Sequence, residues 1–233
     1  MFPLRDNAPT RHFPVVTVGL IVANVLAYFL YQEGGWQAAA GPVNRYAFHP
    51  CEVDDSCTVV GEDWPVTVLT SMFMHADIVH LGGNMLFLWI FGNNVEDAMG
   101  RVRYLVFYLL AGVAATALQT AITLETASDA AAGIPNLGAS GAISGVLGAY
   151  FILLPRASVL TAIFLGFIFF LREIPAIFFL GIYFVFQAWQ ANVQLNAPPE
   201  SGGVAVFAHI GGIVFGLLTV KLFQQRPPLR PSY

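Results

Sequence analysis

Charge is what this chain has least of: Asp, Glu, Lys and Arg make up 10% of its 233 residues, against roughly 25% in a soluble domain. So few charges cannot coat a water-facing surface, which excludes an ordinary soluble protein. Cysteine is scarce too, with only Cys51 and Cys57, both in one polar loop. In an oxidising compartment they could pair, and the sequence leaves that open. There is no H-E-x-x-H metalloprotease motif and no internal repeat of the kind that marks inverted-repeat transporters. What is abundant is apolar: 57% of residues are hydrophobic. Runs such as Val15–Leu30 and Leu105–Leu124 approach the length that crosses a bilayer. The chain reads as an integral membrane protein.

Hydropathy predicts spans at Pro14–Tyr31, Met72–Phe91, Val102–Leu124, Ser140–Leu154, Ala176–Trp189 and Val204–Phe223. Arg5 and Arg11 precede the first, and Ala38-Ala39-Ala40 resembles a signal-peptidase site. The apolar run exceeds a usual signal-peptide core of about 7–15 residues, so it is read as a retained helix. Val159–Leu171 is also apolar but short, about 20 Å if helical. With six spans and the N-terminus inside, Arg5, Arg11, Arg101, Arg103, Arg156, Arg172, Lys221, Arg226 and Arg230 all face the cytoplasm, and only Arg45 lies outside. The positive-inside rule favours that arrangement over seven spans. Val159–Leu171 is then a loop dipping into the inner leaflet, or an extension of a neighbouring helix. The outer side is acidic (Glu33, Glu52, Asp54, Asp55, Glu62, Asp63, Glu125, Asp129 and Glu200), and the first outer loop, Gln32–Pro65, is long. The expectation is an all-α, six-span bundle forming one membrane domain over residues 1–233, with both termini cytoplasmic.

Polar groups inside a bilayer are costly and are functional candidates by default. His80, Asn84, Ser140 and His209 stand out. Counted at about 1.5 Å per residue from the cytoplasmic helix ends, they lie roughly 18–24 Å up, in one layer. The fourth span reaches only about 22 Å, short of the roughly 30 Å core, leaving room for water above Ser140. Gly141-x-x-x-Gly145 on that span and Ala208, Gly212 and Gly216 on the sixth form small-residue stripes. Helices with such stripes pack closely, close enough for His209 to reach the Ser140 hydroxyl. His80 and Asn84 are one turn apart on the second span and can both donate to a developing oxyanion. The Ser140 N–H, at a helix start, can add a third donor.

His75-x4-His80-x3-Asn84, Gly138-Ala139-Ser140-Gly141 and Ala208-His209-Ile210-Gly211-Gly212 resemble the signature motifs of the rhomboid intramembrane serine proteases, in the family's order and over nearly the whole chain. The Glu96…Gly100-Arg101 stretch before the third span resembles the family's as well. The resemblance implies Ser140 as nucleophile and His209 as general base of a dyad without an acid, with His80 and Asn84 as oxyanion donors. It implies transmembrane protein substrates, cut beside a small residue near the outer face, and no cofactor or metal. Two departures are visible. Where many members carry a Trp-Arg pair in the first outer loop, this chain has Val66 and Thr67, with Trp64-Pro65 nearby. Where some members place an aromatic ring one turn after the serine, this chain has Ser144, so something else must hold His209.

The remaining polar residues have simpler readings. Asp77 can cap the second span and His75 brace the mouth above it, while a metal site of His75, Asp77 and His80 matches no metalloprotease spacing. His12 and His49 are expected to be solvated. Trp36, Trp64 and Trp189 fall near span ends, where indoles anchor at the interface. Two rival functions remain. A catalytically silent rhomboid-like protein would bind membrane clients, although such relatives generally lack the serine or the histidine. A transporter or channel would need a polar path through the inner leaflet; below the polar layer the spans look almost wholly apolar (Met85–Phe91, Val146–Leu154 and Ile213–Val220), so the recess is blind unless Gln119 or Gln187 belongs to such a path. The expected partners are transmembrane protein substrates and membrane lipid, with no nucleic acid. The expected location is a multi-pass position in a bacterial cytoplasmic (inner) membrane. Substrate, oligomeric state and the element that admits substrate are not legible.

Overall fold

The computed structural model describes residues 2–32, 40–57, 61–165, 168–196 and 205–229. Glu33, Trp36, Ala38, Ala39, Glu200, Val204 and Arg230 lie outside the described residues. Most of the described chain is helical. The long helices are α1 (Val15–Tyr31), α4 (Ile78–Met99), α5 (Arg101–Thr126), α7 (Ser140–Leu153), α8 (Ala176–Leu195) and α9 (Val206–Phe223). Short helices α2 (Ala40–Tyr46), α3 (Trp64–Thr70) and α6 (Asp129–Ala132) lie in the connections. By length and composition alone, α5, α8 and α9 are able to cross a membrane, whereas α1 and α7 are apolar but shorter.

The second predicted span shifts along the chain. Met72 falls in a 3₁₀ turn, Ser71–Phe73, and α4 begins only after Asp77, whose side chain accepts from the His80 N–H at 2.8 Å. The expected Asp77 cap therefore forms, and it sets the helix start. At the other end α4 runs past the apolar stretch because its acids find partners. Buried Glu96 accepts from the Val16 and Thr17 N–H groups at 3.0 and 2.8 Å and from the Thr17 hydroxyl at 2.8 Å. It thereby satisfies the start of α1, which Pro14 leaves without a side-chain cap. Asp97 is paired with Arg11 at 2.6 Å.

An all-α architecture does not hold. Strands β1 (Phe2–Asp6), β2 (Ser158–Leu165) and β3 (Ile168–Pro175) form an antiparallel sheet in the order β1-β2-β3. The described residues 159–165 and 168–171 of that apolar run therefore lie in the paired strands β2 and β3, neither a structureless loop nor a helical extension. A short apolar run does not separate strand from helix by periodicity. The deciding feature is non-local: β2 pairs with the N-terminal segment, Phe2 opposite Ala162 and Asp6 opposite Val159. β3 keeps both faces open, with Ile168, Phe169 and Leu171 exposed. Tyr150 of α7 ties the sheet to the bundle by donating to Asp6 Oδ2 at 2.5 Å.

The core lies where α7 is enclosed by α4, α5 and α9. A Cβ on Gly212 would collide with the Gly141 carbonyl, and one on Gly216 with the Gly145 carbonyl. The two stripes thus meet backbone to backbone, as their spacing predicts. In the connection between α2 and α3 Cys51 and Cys57 are joined by a disulfide. His49 is buried, not solvated, next to Phe48, whose backbone is pinned to Asn136 by two hydrogen bonds; burial holds its pKa below the usual histidine range.

Candidate active site

Ser140 is the first residue of α7. The loop ahead of it is held by the Gly138 N–H, which donates to the Ser71 carbonyl at 2.9 Å. Gly138 has φ +121°, a region in which a side chain is strained. A Cβ there would also lie 2.9 Å from His80 Cε1 and 3.7 Å from Asn84 Nδ2. The backbone leading into the serine therefore rests directly against the two expected donors. Any side chain at residue 138 would push them away.

His209, in the first turn of α9, brings Nε2 to 2.8 Å from Ser140 Oγ. That is hydrogen-bond distance between a hydroxyl and a base, made across two helices that only glycines allow to approach so closely. The Ala208 N–H donates to Gln119 Oε1 of α5 at 3.2 Å, anchoring the backbone beside His209. Gln187 of α8 places Oε1 2.9 Å from His209 Nδ1. The two glutamines offered by the sequence to a polar path are thus engaged at His209 and its neighbour Ala208. Sequence reasoning gave Gln187 no role at the site, because its link to His209 depends on how α8 packs. Ser144, standing where some family members place an aromatic ring, faces the Tyr183 hydroxyl of α8 at 3.4 Å.

All four sequence-selected residues line one cavity of about 600 Å³, together with Asp77, Phe87, Asn136, Leu137, Tyr183 and Ala205. Asn84 Nδ2 is buried and has no acceptor among the described residues. A buried donor without a partner is costly, and such a group at an active site commonly awaits one supplied by a ligand. His80 Nδ1 receives the Ala76 N–H in a long contact of 3.5 Å. If Nδ1 accepts, the proton resides on Nε2, and that nitrogen is the donor. His75, expected to brace the mouth, is fully buried and stacks edge-on against the His80 ring at 5.1 Å.

A family model for the Rhomboid domain matches residues 63–226. Among known proteins, the chain is similar to Rhomboid protein 1, mitochondrial, of Saccharomyces cerevisiae, 31% identical over 153 residues, covering 66% of this chain and 40% of the yeast protein. It is 28% identical to the presenilin-associated rhomboid-like protein, mitochondrial, of Bos taurus over 228 residues, 91% of this chain and 50% of the relative. It is 36% identical to Rhomboid protease GluP of Bacillus subtilis over 136 residues, 58% of this chain and 24% of that protein. The chain spans half or less of the length of each of these relatives. Mitochondrial proteins are prominent among them, so a bacterial inner membrane in particular gains no support. The matched domain and the apolar helices together identify an integral membrane protein. With the domain matched over most of its length, the chain belongs to the rhomboid family.

Proposed function

We propose that this protein is an intramembrane serine endopeptidase with Ser140 as nucleophile and His209 as general base. The observation that carries the reading is the 2.8 Å contact between His209 Nε2 and Ser140 Oγ, set in a cavity that also holds the Asn84 amide nitrogen, which has no acceptor among the described residues. The Ser140 proton passes to His209 Nε2 as Oγ bonds to the scissile carbonyl carbon. Negative charge grows on the carbonyl oxygen, where Asn84 Nδ2, the His80 ring and the Ser140 N–H donate to it. The imidazolium protonates the departing amine as the C–N bond breaks. Water entering from the cavity, deprotonated by His209, then hydrolyses the acyl-enzyme ester and restores the hydroxyl. No cofactor is required.

The topology belongs to this proposal: α1, α4, α5, α7, α8 and α9 as six spans of one membrane domain over residues 1–233, both termini cytoplasmic. The cation distribution supports it. Substrates are membrane-spanning proteins, cut where a helix unwinds near the outer face. The protein named Rhomboid protease GluP supports a peptidase over the alternative, a catalytically silent protein that binds membrane clients.

The test is labelling by a fluorophosphonate probe in detergent, with wild type beside Ser140→Ala and His209→Ala. Labelling of wild type alone is expected. An unlabelled but folded wild type would favour client binding. Equal labelling of all three would place the reactive group elsewhere.

A further inference from the structure

A base that works through Nε2 must carry its proton on Nδ1, and among the described residues a single side chain addresses Nδ1. Gln187, buried on α8, presents Oε1 at 2.9 Å from that nitrogen. An amide oxygen only accepts, so the contact requires Nδ1–H and leaves the Nε2 lone pair facing Ser140 Oγ at 2.8 Å. We infer that Gln187 is a positioning residue that fixes the tautomer and ring orientation of His209, completing a Ser140–His209–Gln187 relay of contacts in place of an unsupported dyad. This rests on the proposed peptidase reading for its consequence in catalysis, but not for its effect on the imidazole.

Three features of this chain converge on the assignment. Ser144 supplies no ring to stack against His209, and its hydroxyl is instead shared with Tyr183. Gln119 fixes the backbone at Ala208 but leaves the imidazole free to turn about its own bonds. Among the described residues no carboxylate touches the ring: the titratable groups that share its cavity are His80 and Asp77 of α4 and Tyr183 of α8, and Asp77 is engaged in capping α4. Gln187 is therefore the group that opposes rotation of the ring. A neutral amide also fits a water-poor site better than an acid, since it orients the imidazole without adding a buried charge.

The experiment compares wild type, Gln187→Leu and Gln187→Glu in reconstituted membranes, with Ser140→Ala and His209→Ala alongside. It reads cleavage of a transmembrane substrate and the ¹⁵N shifts of the His209 ring. Gln187→Leu is expected to lower kcat about 10- to 100-fold with KM little changed, less than the ~10⁴-fold seen when a buried triad carboxylate is replaced. The Nδ1–H tautomer should give way to a mixture. Gln187→Glu should recover most of the activity, with the acidic limb of the kcat–pH profile moved to higher pH, because a carboxylate stabilises the imidazolium. That recovery would also show that the site tolerates substitution without unfolding. Unchanged tautomer shifts and an unchanged pH profile in Gln187→Leu would overturn the assignment. Undiminished cleavage by Ser140→Ala or His209→Ala would instead overturn the dyad, while the ring shifts would still report on Gln187.

Discussion

At the residue scale Asn84 and Asn136 both line the cavity with a buried amide nitrogen that has no acceptor among the described residues, and it is Asn84 that lies beside His80 and the Gly138 backbone leading into Ser140. A packed interior rarely tolerates that, since an unpaired buried donor costs about 1–3 kcal/mol. Residue 84 could be apolar if packing were its purpose. In the proposed mechanism the missing acceptor is the oxyanion, so the cost in the resting state is recovered in the transition state. Asn84→Ala should therefore leave the fold intact, or slightly more stable, while kcat falls by about 10²- to 10³-fold, the usual loss for one oxyanion donor. Thermal melts beside steady-state kinetics would check this. A variant that loses stability in step with activity would make Asn84 a structural residue. Glu96 shows the opposite case, a buried carboxylate whose three donors from α1 make it a fixture of the fold.

Among the elements, the α7–α9 contact does the positioning. Gly212 and Gly216 lie against the carbonyls of Gly141 and Gly145, so the axes approach more closely than any side chain would allow. The Ser140–His209 distance depends on that approach. Gly212→Leu is expected to abolish cleavage and fluorophosphonate labelling by prising α9 away, even if the protein still inserts. Labelling at the wild-type level would show that the helices can separate without opening the dyad. Much of this was legible beforehand, because small residues four apart have one main use in a membrane helix. The β2–β3 pair was not legible: the apolar run Val159–Leu171 has no telling period, and the strand character of β2 depends on pairing with Phe2–Asp6, far away in sequence.

Over the whole molecule, the sheet and the bundle meet at the Tyr150–Asp6 contact. Burial pushes the Asp6 carboxyl up to about 6 from an ordinary value of 3.8. The folded state thus holds this proton more tightly than the unfolded chain. The sign follows: the burial penalty is absent below about pH 4, grows as pH rises, and is complete above about pH 6. Melting temperature measured in one detergent should fall across that interval through this group. Asp6→Asn should flatten the dependence and raise the melting temperature at neutral pH. An identical pH profile in the variant would remove Asp6 from the account.

Sequence alone determined the solvent, the family and the candidate reacting groups. Charge scarcity and apolar run length report the bilayer directly. Ser140, His209, His80 and Asn84 declared themselves because polar side chains in apolar spans have few other reasons to be there. Tertiary structure alone decided what depends on distance between elements. The Cys51–Cys57 bond, the burial of His49, the β1–β2–β3 sheet and the Gln187–His209 contact all join groups whose meeting no local pattern encodes. Gln187 stands 22 positions from His209 on a helix whose own sequence does not say which way that side chain will face. Only the packing of α8 against the bundle brings the amide to the imidazole.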